Sequence, residues 1–284
     1  MAPMNRLVVA LLLALLAFAA PAQAAPRVAA LTPFSASTIT RLGVRPVVLG
    51  QTLGGTDQYL ASLRGVPVLT LTHPLGPNME QLATYNPSIV LSSKTWQRGS
   101  APMRRLGMKV YESDPTSVAA VGRETRAIGK VLGRTRAANA LATKIENDVR
   151  AAQRGIKRRP RVLVILGVGR TPHAMLANSW GGDVVAKAGG QLLTAGLRSP
   201  SGIARISDEI VVKRNPDIII AVPHGSPGAI NKLAAYYQNN PSWRNTRAVK
   251  NKRVYVATGN QLLQPYPGVA ATIRSVRAKF LKNY

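Results

Sequence analysis

Short apolar runs, four to six residues long and rich in β-branched side chains, recur along the chain between polar segments dotted with Gly and Pro. Residues 27–31, 46–49, 66–71, 89–92, 108–111, 161–166, 217–222 and 253–257 read as buried strands. Helical spacing or helix caps fill most of the intervals. Ser35 or Ser37 caps a short helix that stops at Gly43, and Thr56 opens one over 57–63. Further helices are predicted over 101–106, over 182–187, up to Gln238 and over 269–280. Strands alternating with helices of this length predict an α/β fold with mainly parallel sheets.

The middle of the chain breaks this rhythm. Asp114-Pro115-Thr116 opens a helical region with apolar residues at 118, 121, 128 and 132, and then at 141, 145, 149, 152 and 156. Gly133 interrupts it and Pro160 ends it. The 21 residues from Arg134 to Arg154 hold neither Gly nor Pro and would span about 30 Å as a helix. Such a helix between two α/β halves is either a packed surface helix or a strut between lobes. The pattern leaves both open.

One stretch occurs twice. Asn78-Met79-Glu80-Gln81-Leu82 leads to Asn86-Pro87-Ser88-Ile89-Val90-Leu91, and Ser207-Asp208-Glu209-Ile210-Val211 leads to Asn215-Pro216-Asp217-Ile218-Ile219-Ile220. Asn78 and Ser207 suit the cap position, and each Glu suits the positive end of the helix dipole. Pro disfavours helix in the residue before it, so Asn86 and Asn215 stop the helices before strands begin. Two copies of helix-then-strand predict two similar lobes.

The first residues carry a different pattern. Arg6 precedes 14 apolar residues from Leu7 to Ala20, and Ala22-Gln23-Ala24 has the small-x-small form of a cleavage site. Fourteen is short of the ~20 that a membrane span needs. A cleaved secretory signal over 1–24 is expected, giving a periplasmic or secreted protein. The chain has no cysteine, hence neither a disulfide framework nor a lipid-accepting Cys after that site.

Charge changes the picture less than its size suggests. The formal net charge is +27, or +26 without Arg6. The cations are scattered along helices, and the densest run is Lys157-Arg158-Arg159-Pro160-Arg161. No zinc pattern, aromatic-rich strand or basic heptad accompanies them, so a solvated basic surface is expected rather than a nucleic-acid interface.

Candidate chemistry thins out on inspection. His73, His173 and His224 sit in separate loops without a second ligand at metal spacing. Gly167-Val168-Gly169 opens like a dinucleotide fingerprint, but Arg170-Thr171-Pro172 follows where the third Gly and a helix start should stand. Ser226 lacks the Gly two residues earlier that a nucleophile elbow needs. None of the 11 acidic residues forms a convincing acid–base pair. No catalytic residue, metal site or resident cofactor is expected.

Taken in order, the pieces add up. Val44-Arg45-Pro46-Val47-Val48, the first repeat, Leu132-Gly133 with its Ala-rich helix, Ser179-Trp180-Gly181-Gly182-Asp183 with Ala188-Gly189-Gly190, the second repeat, and Ala248-Val249-Lys250-Asn251-Lys252-Arg253-Val254-Tyr255 follow one another. Over residues 27–284 the chain resembles the substrate-binding proteins of ABC importers for ferric siderophores, haem and cobalamin. The resemblance implies two α/β lobes with mainly parallel sheets, joined by one long α-helix, with the ligand cleft between them. The divisions would be a signal peptide at 1–24, an N-terminal lobe at 25–114, a helical region with the interlobe helix at 115–159, and a C-terminal lobe at 160–284. The strut reading follows, and so does a small closing motion.

The resemblance also implies a function: extracytoplasmic capture of a metal chelate by a monomer, and delivery to a permease dimer, with no enzyme activity. Glu80 and Glu209 match the acidic residues that dock such proteins into arginine pockets on the permease. Ligand contacts are expected from Phe34, Ser35, Gln51, Lys94, Trp96 and Arg98 in the first lobe. In the second they are expected from Arg170, Trp180, Arg205, His224 and Tyr266. Aromatics would cover apolar faces of the chelate and cations its anionic donors. That set favours an anionic ferric siderophore over cobalamin or haem. The competing classes are a secreted basic α/β protein binding cell-wall or other anionic ligands, and an α/β enzyme.

Overall fold

A computed structural model describes residues 26–51, 61–157, 159–224 and 227–282 of the 284. The expected leader and most of the helix expected over 57–63 lie outside the described residues. In the first lobe the order is β1 (Val28–Ala30), α1 (Pro33–Arg41), β2 (Val48–Gly50), β3 (Val68–Leu69) and a small hairpin, β4 (Leu71–Thr72) with β5 (Gly76–Pro77). Then follow α2 (Met79–Thr84), β6 (Ile89–Ser92), α3 (Gln97–Arg105) and β7 (Lys109–Glu112). The five-stranded sheet runs β3-β2-β1-β6-β7, parallel throughout.

The helical region is a hairpin of α4 (Val118–Val131) and α5 (Thr135–Ala152). Gly133 turns the chain at φ +67°, a conformation Gly adopts without steric penalty. The Gly-free and Pro-free stretch of the sequence is α5, which packs on α4. The helix that reaches both lobes is α4, whose 14 residues span about 21 Å. Close approach of the two helices depends on Gly129, where a Cβ would run into the Ala138 methyl. A bidentate pair, Arg126 to Glu146 at 2.5 and 3.0 Å, crosses between them.

The second lobe runs β8 (Arg161–Val168), β9 (Thr171–Met175), α6 (Trp180–Lys187), β10 (Gln191–Leu192), β11 (Ile203–Arg205), α7 (Asp208–Arg214) and β12 (Ile218–His224). It ends with α8 (Pro227–Gln238), α9 (Arg247–Lys250), β13 (Val254–Val256), α10 (Val269–Val276) and one π-helical turn (Arg277–Leu281). Its sheet is ordered β11-β9-β8-β12-β13, with β10 also on β8. β9 pairs antiparallel with both β8 and β11, and the other pairings are parallel. The turn into β9 explains Gly167-Val168-Gly169. The Tyr237 ring lies where a Gly167 side chain would sit, and the Tyr237 hydroxyl donates to the Gly169 carbonyl at 2.8 Å. Those glycines serve packing and a strand turn, and no helix start follows them.

Strand alternation sorts the core. Val28, Ala30, Ile89 and Leu91 face one cluster, and Ala29, Leu31 and Val90 face another on the outer side of the first sheet. In the second sheet Ile218, Ile220 and Val222 face inwards while Ile219 and Ala221 face outwards. The inner cluster runs without a break from the first sheet through Val121, Ile128 and Ile145 to the second. A shared core of this kind resists hinge bending, because opening it would expose apolar surface at roughly 25 cal/mol per Å2. Asp183 at the start of α6 adds a polar tie, accepting from the Val118 amide at 2.7 Å.

Both repeats fold alike. Asn78 accepts from the Gln81 amide and Ser207 from the Ile210 amide, so each caps its helix. Asn86 and Asn215 end the helices at φ +43° and +44°, in the left-handed region that Asn tolerates better than other side chains. β6 lies beside β1 and β12 beside β8, equivalent places in the two sheets.

Candidate functional site

Parallel strands deliver their C-terminal ends to one edge of a sheet, and the loops that follow make a binding surface there. Here the loops after β1, β6 and β7 face the end of β12 and the segments after β9 and β13 across a cleft of about 890 Å3, with α4 forming part of its wall. That volume lies within the range of small-molecule sites. Among the described residues no group of three His, Asp or Glu is placed to hold a metal ion.

On the first lobe, Thr32 and Ser35 form a reciprocal cap that holds the start of α1, and Phe34 lines the cleft. Ser93 caps the turn that presents Lys94 and Trp96, and its hydroxyl donates to Asp114 at 2.6 Å. The Lys94 amide donates to the same carboxylate at 2.7 Å. Burial pushes the Asp114 carboxyl above its usual range, against the opposing pull of these two hydrogen bonds. Glu124 accepts from Ser113 at 3.0 Å and from Tyr111 at 3.1 Å. Burial, together with the Glu124 charge, pushes the Tyr111 phenol up to about 12.

On the second lobe, Ser179 caps α6 and so positions Trp180, whose indole N–H donates to the Gln261 carbonyl at 2.9 Å. The ring edge is thus fixed and the indole lines the cleft. His224 stands at the end of β12, and its Nδ1 is buried without a hydrogen-bond partner among the described residues. Gln264 is 3% exposed, lines the cleft, and neither end of its amide has a partner among the described residues.

Of the residues expected at the ligand, Phe34, Lys94, Trp96, Trp180 and His224 line this one cleft from both lobes. Ser35 is spent in the Thr32 cap, and Gln51 donates its amide to the Leu71 carbonyl at 3.1 Å. Arg98 and Tyr266 are not in the lining. Arg170 and Arg205 share a separate shallow groove with Glu209, and Arg170 lies 5.2 Å from the centre of the Tyr236 ring. The lining instead adds Asp114, Arg123, Glu124 and Gln264. Gln264 was missed because it stands in an irregular segment, with no spacing to mark its burial. Within the cleft two cations, Lys94 and Arg123, meet two acids, Asp114 and Glu124. The excess of positive charge lies elsewhere.

The family model for the periplasmic binding protein matches residues 28–260. The chain belongs to the periplasmic binding protein family. A cobalamin-binding protein of Halobacterium salinarum is 28% identical over 250 residues, 86% of this chain and 66% of that protein. The high-affinity heme uptake system protein IsdE of Staphylococcus aureus is 31% identical over 191 residues, 64% of this chain and 63% of that protein. The alignments thus span just under two thirds of these curated relatives. Among solved structures, S. aureus IsdE complexed with heme superposes with a TM-score of 0.75 at 23% identity, covering 90% of this chain and 98% of that one. The vitamin B12 binding protein BtuF of Vibrio cholerae gives 0.69 at 18%, covering 91% and 97%. As a periplasmic binding protein the chain has the two-lobed fold of these structures.

Proposed function

We propose that this periplasmic binding protein is the extracytoplasmic solute-binding component of an ABC importer, capturing a metal chelate between its lobes for a membrane permease. The observation that carries this reading is the cleft itself. It is aromatic on both sides, and it holds buried polar groups, Gln264 and the Nδ1 of His224, that have no hydrogen-bond partner among the described residues. An unsatisfied buried group costs ~1–3 kcal/mol, and a ligand that pairs with it recovers that cost. No such economy is expected of an inert surface groove.

The balance of charge in the lining favours a chelate with a neutral polar rim, a corrinoid, over an anionic ferric siderophore. The Gln264 amide offers both a donor and an acceptor, which suits a carboxamide. Haem is the second reading, favoured by the His224 Nδ1, since an imidazole nitrogen is a common axial ligand to haem iron. Titration of the tryptophan fluorescence with cobalamin, haem and a ferric siderophore tests this, because Trp96 and Trp180 both line the cleft. Saturable quenching by cobalamin at the lowest concentration supports the corrinoid reading. Tightest binding of the siderophore overturns it.

Delivery is assigned to Glu80 and Glu209. Both are exposed, each stands in the first turn of a capped helix, and the two helices occupy equivalent places in the lobes. The Ser207 hydroxyl holds the Glu209 carboxyl below its usual range, so it is ionised at neutral pH. Paired carboxylates on two lobes suit arginine forks on a two-fold symmetric partner. Reversing both, Glu80→Lys with Glu209→Lys, abolishes uptake while ligand affinity in solution stays unchanged. Loss of affinity contradicts the assignment.

A further inference from the structure

Lys157, the first residue of the basic run, has no part in the cleft and lines a second cavity. A groove of about 580 Å3 lies between the segment that follows α5 and the last helical turns of the chain. Arg154, Lys157, Arg274, Arg277 and Lys282 line it, and among the described residues no acid does. None of these five cations has an ion-pair partner among the described residues. The floor is apolar, formed in part by the buried Ala152, Ala188 and Leu281.

Two features distinguish the groove from an accident of a basic protein. Arg277 is pinned, donating to the Arg154 carbonyl at 2.9 Å and to the Gly155 carbonyl at 2.7 Å. Its guanidinium is held in place before any ligand arrives. The helix also widens to a π turn over Arg277–Leu281, at the wall of the groove. Such turns are rare and often mark functional sites. Cations are favoured near the C-terminal end of a helix such as α5, but Arg277 already meets the carbonyls there. The dipole therefore accounts for one cation of the five.

We infer that this groove binds the phosphate of an anionic phospholipid headgroup, with the glycerol and upper acyl carbons on the alanine and leucine floor. The cations supply charge and donors for the phosphate, as arginine does most effectively. Among the described residues no aromatic side chain lines the groove, so the stacking platform that single-stranded nucleic acid uses is missing from its described lining. The groove precedes the start of β8, whereas the cleft takes Leu166 near that strand's far end, and the two share no residue. Lipid held here leaves the cleft open.

Co-sedimentation of residues 25–284, the chain without its expected leader, with phosphatidylcholine vesicles, with and without phosphatidylglycerol, tests the inference. Binding is expected only with phosphatidylglycerol. Lys157→Gln, Arg274→Gln and Lys282→Gln together should weaken it roughly a hundredfold, at about fivefold per cation near an anionic surface. Lys109→Gln, Arg136→Gln and Lys213→Gln remove the same charge from exposed sites elsewhere and should weaken it much less. Equal losses in the two triple variants overturn the inference in favour of diffuse net charge. Broadening of the phosphorus resonance of soluble dihexanoyl phosphatidylglycerol by the wild-type chain gives a readout free of any variant. Displacement of that lipid by an equal concentration of inorganic phosphate would make this a soluble-anion site and overturn the lipid assignment.

Discussion

Gln264 carries an amide without a hydrogen-bond partner among the described residues, at 3% exposure on the wall of the cleft. Replacing an unpaired buried polar group by an apolar one of similar shape stabilises a protein or leaves it unchanged. Gln264→Leu should therefore hold or raise the urea midpoint of the unliganded chain while ligand affinity falls about tenfold or more, ~1–3 kcal/mol. A side chain that merely packs would show the reverse pairing. Asp114 makes a second test at this scale. Its folded pKa lies above its unfolded value of ~3.9, with burial the main cause. The folded state then binds the proton more tightly, so this residue's contribution to stability falls as pH rises from ~4 through the folded pKa. Urea unfolding from pH 3 to 7 should show that decline in the wild type and not in Asp114→Asn, whose amide oxygen still accepts from Ser93 and Lys94. Neither residue stood out in the sequence, because desolvation and missing partners depend on what tertiary structure places around a side chain. Phe34, Lys94, Trp96, Trp180 and His224 were legible because they follow strand ends. Arg170 and Arg205 follow the same rule, but Arg170 stands in the β8–β9 turn and Arg205 on the edge strand β11, in a groove apart from the cleft.

The two Asn-Pro helix ends govern how helix passes to strand in both lobes. Asn86 and Asn215 hold left-handed backbone, a conformation that costs most side chains ~1–2 kcal/mol. Asn86→Val should destabilise by about that amount in thermal or urea melts, and Asn86→Gly by much less. The caps and stops of these elements were readable from local residue types, since the interactions involved span three or four residues. The β8–β9 turn was not readable in this way. Gly167 is needed because Tyr237 packs against it from 70 residues further along the chain. The helical region was readable as helix but not as a hairpin. Gly133 marked the break, while the choice of α4 as strut rests on the Gly129–Ala138 contact and on packing with both lobes. Gly129→Ala tests that contact. Ala is the better helix former by ~1 kcal/mol, yet overpacking against Ala138 should lower the melting temperature, by an amount equivalent to ~1–3 kcal/mol. A rise in melting temperature would show that the helices can move apart freely.

At the scale of the whole molecule, the inner core passes from one sheet to the other through α4 and α5. The lobes are thus coupled, and ligand should be admitted by small adjustments of loops rather than by wide closure. Charge is partitioned on the same scale: the chain carries +27, yet the described cleft lining holds two cations and two acids. Sequence composition reported the total, and only the fold assigns it to places. That is why the weight given to an anionic siderophore from composition shifts to a chelate with a neutral rim once Arg98, Arg170 and Arg205 are seen outside the lining. The central claim is that the interlobe cleft captures a metal chelate, and calorimetric titration tests it most directly. Wild type and Gln264→Leu would each be titrated with cobalamin, haem and a ferric siderophore. Saturable binding of one chelate per chain is expected, cobalamin tightest, weakened about tenfold or more by the Gln264 change. Absence of saturable binding by all three, or binding that the Gln264 change leaves untouched, would contradict it.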